Sequence, residues 1–162
     1  MKRISFLPGI ILLGIGVFYF TQNLNIHLFE NQNSWQFLLI LLGAAYLISG
    51  HFEKNNTAIL PGIILVGIGL HFIYHVKVSS WPDHPAAFLF ILALGMLLTA
   101  VKMKSGYFQG FLLLAVGLFL HFFQSIFQAL PLNESGIQLI KTYWPIGLIF
   151  IGGYLLFMKR KK

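Results

Sequence analysis

The sequence predicts an all-α membrane protein of six transmembrane helices, built as three tandem two-helix hairpins in parallel orientation. Three observations predict it. Apolar runs fill roughly 4–21, 35–50, 58–76, 85–101, 107–127 and 144–158; a ten-residue segment recurs; and lysine and arginine divide unevenly between alternate loops. Hydrophobic residues make up 57% of the chain and charged residues 9%, with a mean hydropathy of +0.80. A soluble domain carries about 25% charge, so a water-soluble fold is excluded. A β-barrel is excluded as well, because the runs are continuously apolar and do not alternate over about ten residues.

The first run contains Leu7 to Gly16, and the same ten residues return at Leu60 to Gly69 with one change, Leu13 to Val66. A weaker copy spans Phe108 to Gly117, giving offsets of 53 and 48 residues, the mark of repeated structural units. Each unit adds a partner run, Gln36 to Gly50, Pro85 to Val101 and Pro145 to Met158, with mid-run glycines at Gly43, Gly95 and Gly152. The hairpins therefore bound at about 4–50, 58–101 and 107–158, inside one polytopic domain over 1–162. Met1-Lys2-Arg3 resembles the start of a signal peptide, but no small-x-small cleavage site follows and the segment recurs internally, so it reads as an ordinary first helix. Across a hydrocarbon core of about 30 Å, runs of about 16 or 17 residues stand nearly upright or thin the bilayer.

Local signals punctuate the helices. Pro8 and Pro61 suit a first turn, where the missing N–H breaks no helical bond, and Asn56 or Thr57 is the expected cap of the third helix. Gln128 to Tyr143 reads as the longest loop, its Ile137, Leu139 and Ile140 mixed with polar residues so that it lies in the outer interface. Of the 11 basic residues, Lys2, Arg3, Lys54, Lys102, Lys104, Lys159, Arg160, Lys161 and Lys162 fall on the side of the termini, and only Lys77 and Lys141 on the other. That bias predicts a plasma-membrane protein with both termini cytoplasmic. Trp35, Trp81 and Trp144 then sit as outer-interface anchors where even-numbered helices begin, each indole N–H kept wet. Because the basic residues cluster at helix ends instead of along one face, the net charge of +7 does not indicate nucleic acid.

Chemistry has little to work with. Cysteine is absent, which removes disulfides and thiolate sites. No Asp, Glu, Lys or Arg lies mid-run, and no two carboxylates are spaced as an acid/base pair. Catalytic residues, cofactors and metal ligands are accordingly expected to be none. His71 and His75 share one helix face, with Asp83-His84 on the next loop, a spacing from which two or three metal ligands can be assembled. The reading adopted is the plainer one, of amphipathic histidines at the membrane boundary. His121, deeper in the fifth run, is expected to hydrogen-bond locally.

Glycine carries the clearest structural signal. Gly9 and Gly16, Gly62 and Gly69, and Gly110 and Gly117 are each seven apart, marking one stripe of each odd helix where a neighbouring backbone can approach. The first two pairs are expected to pack more closely than the third, where Ala115 replaces the glycine found at Gly14 and Gly67.

The Pro-Gly opening of the odd helices, with Gly14 and Gly16 following, and the run from Trp144 through Pro145, Gly147, Gly152 and Gly153 together resemble the membrane region shared by the bacterial LiaI and LiaF proteins. The resemblance covers most of the chain and implies a non-enzymatic membrane protein that senses or modulates cell-envelope stress through other membrane proteins. LiaF-type members add a soluble C-terminal domain, whereas this sequence stops at Lys159-Arg160-Lys161-Lys162, so an action on a sensor kinase through that domain is not expected. The alternative class is a small transporter or channel. Against it stand the absence of a charged path and repeats that share one orientation where many transporters invert them. Partner identity and oligomeric state are not written in the sequence.

Overall fold

A computed structural model describes residues 6–26, 28–129 and 134–158; Lys2, Arg3 and Lys159 to Lys162, used above for topology, lie outside them. Among the described residues the fold is all-helical: α1 (Leu7–Asn23), α2 (Trp35–Phe52), a 3-10 turn (Asn56–Ala58), α3 (Ile59–Tyr74), α4 (His84–Met103), α5 (Tyr107–Ala129) and α6 (Glu134–Met158). Three segments among the described residues are long and apolar enough to cross a membrane, Trp35–Phe52, Asn56–Tyr74 and His84–Met103. Shorter apolar helical stretches run over Leu7–Asn23, Tyr107–Phe123 and Thr142–Phe157.

The caps explain several boundaries. Ser34 accepts the Phe37 N–H and starts α2. Before α3, Asn55 takes the capping role expected of Asn56 or Thr57, its Oδ1 accepting from the Thr57 N–H at 3.1 Å and the Thr57 hydroxyl at 2.6 Å. Three helices end with a non-glycine residue in the left-handed region, Asn25, Lys54 and Lys104, at φ 52°, 54° and 54°. Behind each, the next N–H reaches back five residues: Ile26 to the Thr21 carbonyl, Asn55 to Gly50 and Ser105 to Ala100. These bonds satisfy carbonyls that a helix end leaves open and offset the strain at the left-handed residue. At the other end of the chain, residues 134–143 are helical where a loop was expected. No glycine or proline interrupts Ile137 to Trp144, so the helix runs on and Trp144 lies inside α6, while Pro145 removes one backbone donor.

The chain forms two compact units, Met1–His121 and Phe122–Lys162. In the first, α1 packs on α2, α2 on α3 and α3 on α4, with the α2–α3 contact the most extensive. Its interior inverts the soluble pattern. Small residues are buried, among them Ala45, Ala86, Ala87, Ala93 and Ala100, while Leu12, Leu13 and Val17 are exposed. Lipid solvates large apolar side chains as well as a core does, so small residues that admit a close neighbour decide which faces meet.

The glycines show this directly. A Cβ on Gly69 would stand 2.6 Å from the Gln36 carbonyl oxygen, and one on Gly43 2.7 Å from that of Gly62, so α2 and α3 meet backbone to backbone. On another face of α3, Gly67 meets Ile91 of α4, and Gly95 of α4 meets Leu60. On α5, the space beside Gly110 and Gly117 is filled by Leu97 and Phe90. The Gly9/Gly16 stripe is a correction to the sequence reading: a Cβ at Gly9, Gly14 or Gly16 would meet nothing within 4 Å. α1 turns a different face to α2, burying Phe18 beside Phe37, and the same decapeptide that is enclosed in α3 is left open in α1. In the second unit Gly152 is open too, and the rings of Phe123 and Trp144 lie 5.5 Å apart.

Candidate functional site

A polar cluster sits where α3 ends and α4 begins. His71 occupies the last turn of α3, His75 its C-cap and His84 the first position of α4, with Trp81 in the connecting turn. His71 is the largest wholly buried side chain of the described residues, 1% exposed. Both its ring nitrogens are engaged. The Trp81 indole N–H donates to His71 Nδ1 at 2.9 Å, and His71 Nε2 lies 2.7 Å from His84 Nδ1.

Trp81 fixes the tautomers. An indole nitrogen only donates, so His71 Nδ1 is the acceptor and its proton resides on Nε2. His71 Nε2–H then donates to His84 Nδ1, and the proton of a neutral His84 resides on its own Nε2. The result is a directed chain, Trp81 to His71 to His84, running from the buried histidine to an exposed one. The His75 ring lies 4.6 Å from that of His84, and its buried Nδ1 has no hydrogen-bond partner. Phe72 and Phe88 flank His71 at ring distances of 5.3 and 5.4 Å.

As arranged, His71 and His84 form a hydrogen-bonded pair. Two nitrogens on one tetrahedral zinc, each about 2.05 Å from it, stand about 3.3 Å apart, wider than the 2.7 Å seen. No group of three His, Cys, Asp or Glu among the described residues is placed to hold an ion. Trp81 also departs from its expected role, since its N–H is spent inside the protein and its ring stacks on Tyr74 at 5.5 Å. Trp35 does open α2, more than half exposed and tilted against Phe72 at 5.2 Å. His121 is exposed, its ring edge-on to Phe90 at 6.2 Å.

Two contacts that sequence reasoning missed order the loops at this end. Lys77 and Glu30 join the turn after α3 to the turn after α1 through an ion pair of 2.8 Å. The hydrogen bond and charge of Lys77 hold the Glu30 carboxyl below its ordinary value of 4.5. Gln32, buried, accepts from the Leu28 N–H at 2.8 Å and donates to the Ile26 carbonyl at 3.1 Å. A glutamine between Asn31 and Asn33 gives no warning of that.

Compared with known proteins, residues 7–104 match the model of the LiaF transmembrane domain. The chain is 35% identical over 162 residues to the uncharacterized membrane protein YsxD of Bacillus subtilis (strain 168), covering 100% of this chain and 98% of that protein. No solved structure matches it.

Proposed function

The chain belongs to the family of the LiaF transmembrane domain, and we propose on that footing that it is a non-enzymatic protein of the bacterial plasma membrane that modulates the envelope-stress response by associating with other membrane proteins. In this reading all six helices span the bilayer as three tandem hairpins, with both termini cytoplasmic, a reading that the lysine and arginine bias supports. The observation that carries it is the closure of the α2–α3–α4 core. Glycines 43, 62, 67, 69 and 95 bring these helices to contacts under 3 Å of an added Cβ, a solid bundle where a transporter needs a polar path. The histidine–tryptophan chain serves as structure, pinning the α3–α4 turn.

Photo-crosslinkers at the exposed Leu13 and Val17 of α1, in cells with and without a cell-wall antibiotic, test the reading. Discrete adducts with a membrane protein, changing in yield on antibiotic treatment, are expected. Saturable solute flux through the purified protein in liposomes, with no such adduct, would replace association by transport.

A further inference from the structure

A cavity of about 400 Å³ opens at the end of the first unit where α2 finishes, α3 begins and α4 finishes. Leu47 and Ile59 give it a half-buried apolar floor, and His51, Lys54, Asn56 and Lys102 form its exposed rim. The two lysines reach it from separate elements, Lys54 from the left-handed turn after α2 and Lys102 from the last turn of α4. No carboxylate lines it. Glu53, the nearest in sequence, is engaged with the Phe6 N–H at 2.6 Å and the Ser49 hydroxyl at 3.0 Å. Among the described residues Lys54 and Lys102 have no carboxylate partner, in contrast to Lys77 with Glu30.

These features define an occupant. Two lysines on one rim with no carboxylate among the lining residues make the cavity mouth positive, and phosphate oxygens match their donors. Asn55 adds to the lining, and because its Oδ1 is already taken by Thr57, its remaining capacity is the amide donor. The apolar floor, continuous with helices that cross the bilayer, suits the glycerol and first acyl carbons of a lipid and has no use for a free ion. Basic pockets between helix ends at a membrane surface are where anionic headgroups bind.

We propose that this cavity binds the phosphate of an anionic phospholipid, with Lys54 and Lys102 as its charge partners. By the lysine bias that lipid belongs to the inner leaflet.

The test uses the full chain in an uncharged detergent, with thermal unfolding as readout, because a ligand of the folded state alone raises the melting temperature. Short-chain phosphatidylglycerol, phosphatidylcholine of the same chain length, and inorganic phosphate are titrated in parallel. Phosphatidylglycerol is expected to give a saturable rise that the other two do not. Lys54→Gln with Lys102→Gln should move half-saturation about 30-fold higher, and Lys102→Gln alone about fivefold. Lys77→Gln, at the opposite end, should leave it within about twofold. Both rim lysines are exposed, so the variants keep the core, and phosphatidylglycerol retained through purification, counted by native mass spectrometry, reads the same site without unfolding. Identical titrations in wild type and double variant would overturn the proposal. An equal rise with inorganic phosphate would overturn the lipid assignment in favour of the free ion.

Discussion

Replacing Gly69 by alanine should destabilise the protein, whereas the same change at Gly16, its counterpart in the shared decapeptide, should not. At Gly69 the new methyl would stand 2.6 Å from the Gln36 carbonyl oxygen and 2.7 Å from Ile40 Cγ1, about 0.8 Å inside the 3.4 Å at which ordinary contact begins. The oxygen belongs to the backbone of α2 and cannot rotate away, so the two helices must separate. A gap of 0.5–1 Å forfeits a quarter to a half of each dispersion contact of about 0.1–0.2 kcal/mol. Over roughly 40 atom contacts, the number one buried leucine makes, the loss is about 2 kcal/mol, inside the 1–3 kcal/mol range for overpacking. The better helix propensity of alanine returns up to about 1 kcal/mol, leaving a net loss of about 1–2 kcal/mol. At Gly16, with nothing within 4 Å, only the propensity remains and the sign reverses. Reversible unfolding in mixed micelles measures both. Equal losses at the two sites, or a gain at Gly69, would refute the packing argument.

Trp81→Phe keeps an aromatic ring but removes the donor to buried His71 Nδ1, and His84→Ala removes the acceptor for His71 Nε2; each should cost about 1–3 kcal/mol in the same assay, with no zinc dependence. The double change loses less than the sum if the three residues act as one chain, which a double-mutant cycle reads. For topology, single cysteines at exposed Asn33 and Ser80 should react with an impermeant thiol reagent in intact cells and one at exposed Asn56 should not; labelling of Asn56 from outside would sink the six-span arrangement. The Glu30–Lys77 pair contributes stability that is present at neutral pH and fades as pH falls through the lowered carboxyl value, below 4.5. Glu30→Gln should erase that small acid-side slope, seen by comparing melting curves of the two proteins between neutral pH and the acid limit.

Much of the fold is legible because membrane helices are written in composition. The runs that begin at Trp35, Ile59, His84 and Tyr107 appear within a few residues of the boundaries read from hydropathy alone. Helix ends were harder, since Lys54 and Lys104 cap in a conformation usually left to glycine, and their hydrogen bonds depend on carbonyls whose geometry exists only once the helix does. The histidines were visible as a spacing, but their partner was not. Trp81 looked like an interface anchor, and only the turn between α3 and α4 brings its N–H to His71.

The decapeptide separates what each level decides. Sequence alone determined that Leu7–Gly16 and Leu60–Gly69 are helical, apolar and marked by glycines at the same spacing, since those properties are local. Which stripe is enclosed was decided by tertiary structure: α3 has α2 on its Gly62/Gly69 face and α4 on its Gly67 face, whereas α1 meets α2 through Phe18 and leaves its glycines open. The physical reason is that lipid accepts an apolar face as readily as a protein does, so hydrophobicity cannot select the buried side, and the choice falls to which backbones can approach.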